Sequence, residues 1–175
     1  LRSQKENITF IRFLCLLFRR ARQQNNKEAI DRLSRVLLYG SFALETLDIQ
    51  RECQISGGEY GKGSLDIFIQ SRISDNDVNI IIENKVGSSE TIKRVKGKTL
   101  YQSDAYHIWL KSEKKSGVNL YVFLSPISIL ELEQMTEGER CQRCHCKDYI
   151  HICYQDILDN IIRPYLEKDD ALGIA

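Results

Sequence analysis

The spacing of apolar residues in this chain changes period at Asp48, and that change limits the fold more than any other feature. Ahead of it, Ile8, Ile11, Leu14, Cys15 and Phe18 recur at helical spacing, so Asn7 to Arg22 presents one apolar face. A polar break at Gln23–Lys27 leads into a second helical pattern, Ile30, Leu33, Val36 and Leu37, which extends toward Leu44 and Leu47 across Gly40. Beyond Asp48, Ile49, Arg51, Cys53 and Ile55 alternate with Gln50, Glu52 and Gln54, the period of a strand.

The glycines at 57, 58, 61 and 63 predict a reversal. Leu65–Gln70 (LDIFIQ) and Val78–Val86 (VNIIIENKV) are β-branched and apolar, and the polar turn Ser74–Asp77 separates them. Ser89–Ser116 is charge-rich, with a basic loop first and then a helix over Leu100, Tyr101, Ala105, Ile108, Trp109 and Leu110. Asn119–Leu124 (NLYVFL) reads as a strand buried on both faces, and a strand–helix–strand succession implies parallel pairing. A polar, acidic stretch over 131–139, a Cys/His cluster, a strand Tyr149–Tyr154 and a last helix Gln155–Leu166 complete the chain, with Pro164 set to bend or end that helix.

One domain over 1–175 is expected: a helical N-terminal region over 1–47, a sheet core 48–126, and a C-terminal loop, strand and helix 127–175. The 25 basic and 24 acidic side chains nearly cancel, so any contact with a polyanion is local rather than the work of a global field. The longest apolar run, Ile8–Phe18, is broken by Arg12 and is too short to span a bilayer, which takes ~20 residues. Six cysteines fit reduced thiols and a cytoplasmic setting better than a disulfide framework.

The chemistry is concentrated in two strands. Alternate strand residues share a face, so Glu83 and Lys85 point together while Asn84 points away. Asp66 interrupts the apolar strand LDIFI beside them. Paired carboxylates suit a hard divalent cation such as Mg²⁺ that keeps waters while contacting a phosphate, and a neighbouring amine can orient a nucleophile or neutralise developing charge.

Asp66 followed by Glu83-Asn84-Lys85 resembles the D…(D/E)xK signature of the PD-(D/E)xK nuclease superfamily, and Gln102 with Tyr106 in YQSDAYHIW is similar to the Q…Y helix motif of its recombination-type exonucleases. The opening Glu6-Asn7-Ile8-Thr9, the GSLDIFI strand and the IIIENKV strand together resemble a bacterial and phage branch of these nucleases, over much of residues 6–158. Leu65 stands where the signature's name would put proline. The resemblance implies an α/β, restriction-endonuclease-like three-layer core with a mixed sheet of about four strands flanked by helices. It further implies Asp66 and Glu83 as ligands of Mg²⁺ or Mn²⁺, Lys85 as the catalytic amine, and Gln102 and Tyr106 at the substrate. A further acid is expected from Glu52 or Glu6, with Glu45 a third candidate.

Each motif has a plainer reading. Asp66, Glu83 and Lys85 could be a surface ion pair worth ~0–1 kcal/mol. Gln102 and Tyr106 could be a solvated position and a half-buried ring. Cys141, Cys144, Cys146 and Cys153, with His145 and His151 nearby, offer donors for structural Zn²⁺, against reduced cysteines in a hairpin loop. Lys93, Arg94, Lys96 and Lys98 form a basic run that is either solvated or laid against a nucleic-acid backbone, and Arg12, Arg19, Arg20 and Arg22 on the first helix serve the scaffold or a protein partner, which includes a second copy of the chain. The expected function is a metal-dependent nuclease acting on DNA, with no membrane association and, by analogy, a place in phage defence. The alternatives are an inactive nuclease-fold module that binds or regulates, and a zinc-stabilised adaptor.

Overall fold

The computed structural model describes residues 4–38, 44–57, 59–73, 75–86, 90–114 and 116–170. Helices α1 (Gln4–Gln23) and α2 (Lys27–Leu37) come first, α2 being capped by Asn26, whose side chain accepts from the Ala29 amide. Three antiparallel strands follow: β1 (Leu44–Gly57), β2 (Gly61–Ile73) and β3 (Asn76–Asn84). A small hairpin, β4 (Ile92–Val95) and β5 (Lys98–Tyr101), leads into α3 (Gln102–Glu113), which crosses back to β6 (Val118–Ser125). After two short helices, α4 (Ile129–Gln134) and α5 (Glu137–Arg143), the chain adds β7 (Tyr149–Cys153).

The main sheet has five strands in the order β1-β2-β3-β6-β7, with β6 parallel to both β3 and β7. It is the mixed, helix-flanked sheet of an α/β restriction-endonuclease-like core, one strand larger than the resemblance implied. On one face Ile69, Ile80, Ile82, Leu120 and Ile150 pack with Phe13, Leu14 and Leu17 of α1 and Leu33 of α2. On the other, Phe68, Ile81, Tyr121 and Phe123 pack with Ala105, Tyr106 and Leu110 of α3.

Three sequence expectations change. Leu44 and Leu47 belong to β1, not to a prolonged second helix; the residues around Gly40 lie outside those described. The register of β1 against β2 shifts between Leu44 and Thr46, and that irregularity lets residues three apart both pack on the core, which imitates a helical spacing. The basic stretch is a hairpin, not a loop: Lys96 and Gly97 both have positive φ (49° and 77°), the backbone that a tight two-residue hairpin turn requires. The acidic stretch 131–139 contains α4 and α5, started by Ser128 and by a capping box of Thr136 with Glu139.

The last helix runs on past Pro164: α6 (Tyr154–Ile157) widens through a π turn, Leu158–Ile162, and resumes as α7 (Arg163–Asp170). Proline lacks the amide proton and its ring would strike the carbonyl four residues back; the wide turn absorbs both faults, and the Arg163 amide reaches Leu158 O.

Arg20, 2% exposed, pins this helix to α1. Its Nη2 lies 2.7 Å from Oδ1 of Asp156, which is fully buried, its Nε is 3.0 Å from Oδ2, and its Nη1 reaches Glu133 Oε1 at 3.0 Å. Asp156 Oδ2 also accepts from the Cys153 amide at 3.1 Å. Removing one member of a buried pair strands the other charge, so Arg20→Ala should lower the unfolding free energy by about 3–5 kcal/mol, read from urea denaturation midpoints. A loss below ~1 kcal/mol would show that the contact carries little.

Candidate active site

The β2–β3 ladder pairs Ile67 with Ile82, and continuing it by one step sets Asp66 across from Glu83. On the other side, Glu52 stands between the β1–β2 pairs Arg51–Ile67 and Cys53–Leu65, which puts it across from Asp66. Three acids from three neighbouring strands thus occupy one row. The Asn84 amide donates to Asp66 Oδ2 at 2.7 Å, fixing that carboxylate against the end of β3. Lys85 is the first residue past β3, yet its amide still bonds Leu124 O on β6 at 2.9 Å, so its side chain leaves from a fixed point.

Glu83 is 3% exposed. Lys85 Nζ lies 2.7 Å from its Oε1, a close ion pair, but neither Glu83 oxygen accepts an aligned hydrogen bond among the described residues. Burial pushes the carboxyl up to about 7; the Lys85 ammonium opposes that rise, while Asp66 and Glu90 add to it. A buried acid with empty lone pairs, a second acid beside it and no donor beyond one amine is a donor set that fits a hard divalent cation.

The Lys85 ammonium is held from behind. It donates to Gln102 Oε1 at 2.9 Å, Gln102 Nε2 donates to the Tyr106 hydroxyl at 2.6 Å, and that hydroxyl donates to Ser64 O on β2 at 2.6 Å. Gln102 is the first residue of α3 and Tyr106 lies one turn on, so one helix face supplies both groups. Gly63 makes room for this: a Cβ there would come within 3.1 Å of the Tyr106 ring. Burial, followed by the nearby carboxylates, holds the Tyr106 phenol up at about 12, against the hydrogen bond from Gln102, so it stays protonated.

Glu90 is a member of this region that the sequence reading did not single out. Its Oε1 accepts from the Ser103 amide at 2.5 Å, at the N-terminus of α3, and its Oε2 accepts from the His145 amide at 2.7 Å. Helix-start signals look a few residues ahead; Glu90 caps from outside that window, in a charge-rich segment, and left no periodic trace.

Of the three further candidate acids, one lies beside Asp66 and two lie apart. Glu52 lines a cleft of about 630 Å³ with Asp66, Asn84, Arg51 and Ile67. Glu6 lines a different, apolar cleft with Phe10, Phe13 and Ile82, and Glu45 pairs with Arg72 near the far end of β1. Among the described residues, the acids Asp66 and Glu83 do not converge with a third ligand within 4.8 Å.

The chain matches the family described as the PD-(D/E)XK nuclease superfamily over residues 3–168. It belongs to that superfamily. No curated protein and no solved structure matches it. Membership in the PD-(D/E)XK nucleases carries a nuclease-type hydrolase function, nucleic acid as the class of substrate, and a general reliance on divalent metal. No helix of the described residues is long and apolar enough to cross a membrane.

The four cysteines weighed as donors for a structural zinc, against the favoured reading of plain reduced thiols, do not come together among the described residues. Cys153 caps α6 with its sulfur 3.4 Å from Asp156 Oδ2; Cys144 donates to Cys146 O at 3.6 Å; Cys141 is half-buried on α5; His151 is buried against the Phe123 ring. Strand β7 separates Cys153 from the rest, and the group that does converge within 4.8 Å is His107, Cys146 and Asp148.

For Glu83 the folded value lies above the ordinary 4.5, so its contribution to stability is fully present below 4.5 and is lost as pH rises through about 7. Metal-free protein should therefore melt at progressively lower temperature across that window, and Glu83→Gln should flatten the decline. A wild-type melting profile already flat there would contradict the burial of an unsatisfied acid.

Proposed function

We propose that this PD-(D/E)XK protein is a Mg²⁺- or Mn²⁺-dependent nuclease that hydrolyses phosphodiester bonds of DNA, working in the cytoplasm as one domain over 1–175. The observation that carries this reading is Glu83: a 3%-exposed acid paired with Lys85, beside Asp66, with lone pairs that no described donor satisfies. Asp66 and Glu83 are the metal ligands. Glu52 is the preferred third acid, because it stands in their row and holds a left-handed backbone (φ 52°) beside Asp66, a cost of order 1 kcal/mol or more that residues at functional sites often bear. When bound, the metal lowers the pKa of a water and stabilises charge on the phosphate.

The chain's own groups do the rest. Lys85 places a positive charge where negative charge develops on the attacked phosphate. Gln102 and Tyr106 act through Lys85: their hydrogen bonds to it and to Ser64 O keep the ammonium from swinging away. Lys93, Arg94, Lys96 and Lys98 on the β4–β5 hairpin precede α3 directly and suit contact with phosphates regardless of base sequence. By analogy with the superfamily, phage defence is a fitting biological setting.

A plasmid-nicking assay with Mn²⁺ tests this. Cleavage by the wild type should fall roughly 100-fold or more in Asp66→Ala and in Lys85→Ala, and Glu52→Gln should demand more metal for the same rate, whereas Glu6→Gln should not. A wild-type chain that binds DNA but never cuts it would leave the fold serving as a binding or regulatory module.

A further inference from the structure

A second cluster of metal-ligating side chains lies outside the Asp66–Glu83 row and has different chemistry. His107 extends from α3, Cys146 sits between α5 and β7, and Asp148 directly precedes β7. One ligand atom from each lies within 4.8 Å of the others. His107 Nε2 is buried and lies 2.6 Å from Asp148 Oδ2, a contact that holds the Asp148 carboxyl below its ordinary value and leaves an imidazole nitrogen and a carboxylate oxygen side by side for a cation to bridge. Cys146 is a free thiol, 8% exposed, and its amide is anchored to Ser103 Oγ on α3 at 3.1 Å.

Imidazole, thiolate and carboxylate together are a borderline-soft set, suited to Zn²⁺ rather than to the hard cations that all-oxygen sites select. A cleft of about 510 Å³ reaches Cys146 and Asp148, with Glu28 and Arg140 also on its wall, and gives an ion a way in and room for a water as fourth ligand. We propose that His107 Nε2, the Cys146 sulfur and an Asp148 oxygen bind one Zn²⁺, independently of the nuclease reading. On binding, the Cys146 thiol proton leaves to solvent, the proton between His107 Nε2 and Asp148 is displaced by the ion, and a neutral His107 coordinates through Nε2 with its one ring proton on Nδ1. The ion ties α3 to the segment entering β7. Because His107 follows Tyr106 in α3, the same tie holds down the helix that carries Gln102 and Tyr106.

The full chain, stripped of metal and kept reduced with a phosphine, is titrated with Co²⁺ as a spectroscopic stand-in. About one Co²⁺ per chain should bind, with the near-ultraviolet sulfur-to-cobalt charge-transfer band and the intense visible bands of a four-coordinate ion, and Zn²⁺ should displace it. Cys146→Ser should abolish the charge-transfer band, and His107→Gln should weaken Co²⁺ binding by ~10-fold or more. Cys141→Ser and Asp66→Asn should leave the band intact, which separates this site from the all-oxygen one. A wild type without the band overturns the proposal. So does a band that persists at full strength in His107→Gln, a variant whose half-buried ring can be replaced without opening the core, and that outcome decides the matter even if Cys146→Ser fails to fold.

Discussion

A carboxylate that is nearly sealed from water with a single amine to answer it is expensive to keep, and among the described residues Glu83 is such a group. The structure tolerates it only because Lys85 is held 2.7 Å away, and Lys85 stays there only because Gln102, Tyr106 and the Ser64 carbonyl form a hydrogen-bonded line behind it. That line runs from β2 through α3 to the end of β3. Disturbing any member therefore changes the charge balance at Glu83, two elements away, and couples the packing of α3 to the electrostatics of the acid row.

Helix α3 is accordingly fixed at its start by several independent contacts. The Gln102 amide bonds Thr91 O at 2.9 Å, Glu90 accepts from the Ser103 amide, and Tyr101 stacks on His145 with ring centroids 4.0 Å apart. None of these uses the helix's own sequence periodicity, and its first residue has no side-chain cap from Tyr101. Glu90 takes on that duty and adds a negative charge that, with Asp66, favours the protonated form of Glu83 in the absence of a cation. On the nuclease reading proposed above, a divalent ion held by Asp66 and Glu83 would reverse that preference.

Much of this was legible in the chain before any coordinates. The β-branched, apolar stretches LDIFIQ and VNIIIENKV put Asp66 and Glu83 on adjacent strands, with Lys85 just past the end of the second, and the succession of strand, helix and strand foretold the parallel β3–β6 pairing. What escaped were features that depend on partners distant in sequence or on backbone irregularity. The shift near Leu44 imitated a helix; the Lys96–Gly97 turn hid a hairpin in a basic run; Glu90 caps a helix whose amide lies 13 residues away. The six cysteines are free thiols, as favoured from the sequence, but their spacing alone could not point to His107 on α3 and Asp148, which only folding brings beside Cys146.

The acid row itself rests on register. Side chains alternate with a period of two, so slipping β2 by one residue against β3 would turn Asp66 to the face of α1 and α2 and bring Ile67 or Leu65 opposite Glu83. The slip is opposed on both sides at once: Ile69 and Ile73 of β2 would leave one apolar core, and Phe68 would leave the other. At about 1.5–3 kcal/mol for each large side chain kept from water, those three outweigh the penalty of burying one poorly satisfied acid. A core that needs this register for its own stability thus holds the carboxylates together without any attraction between them.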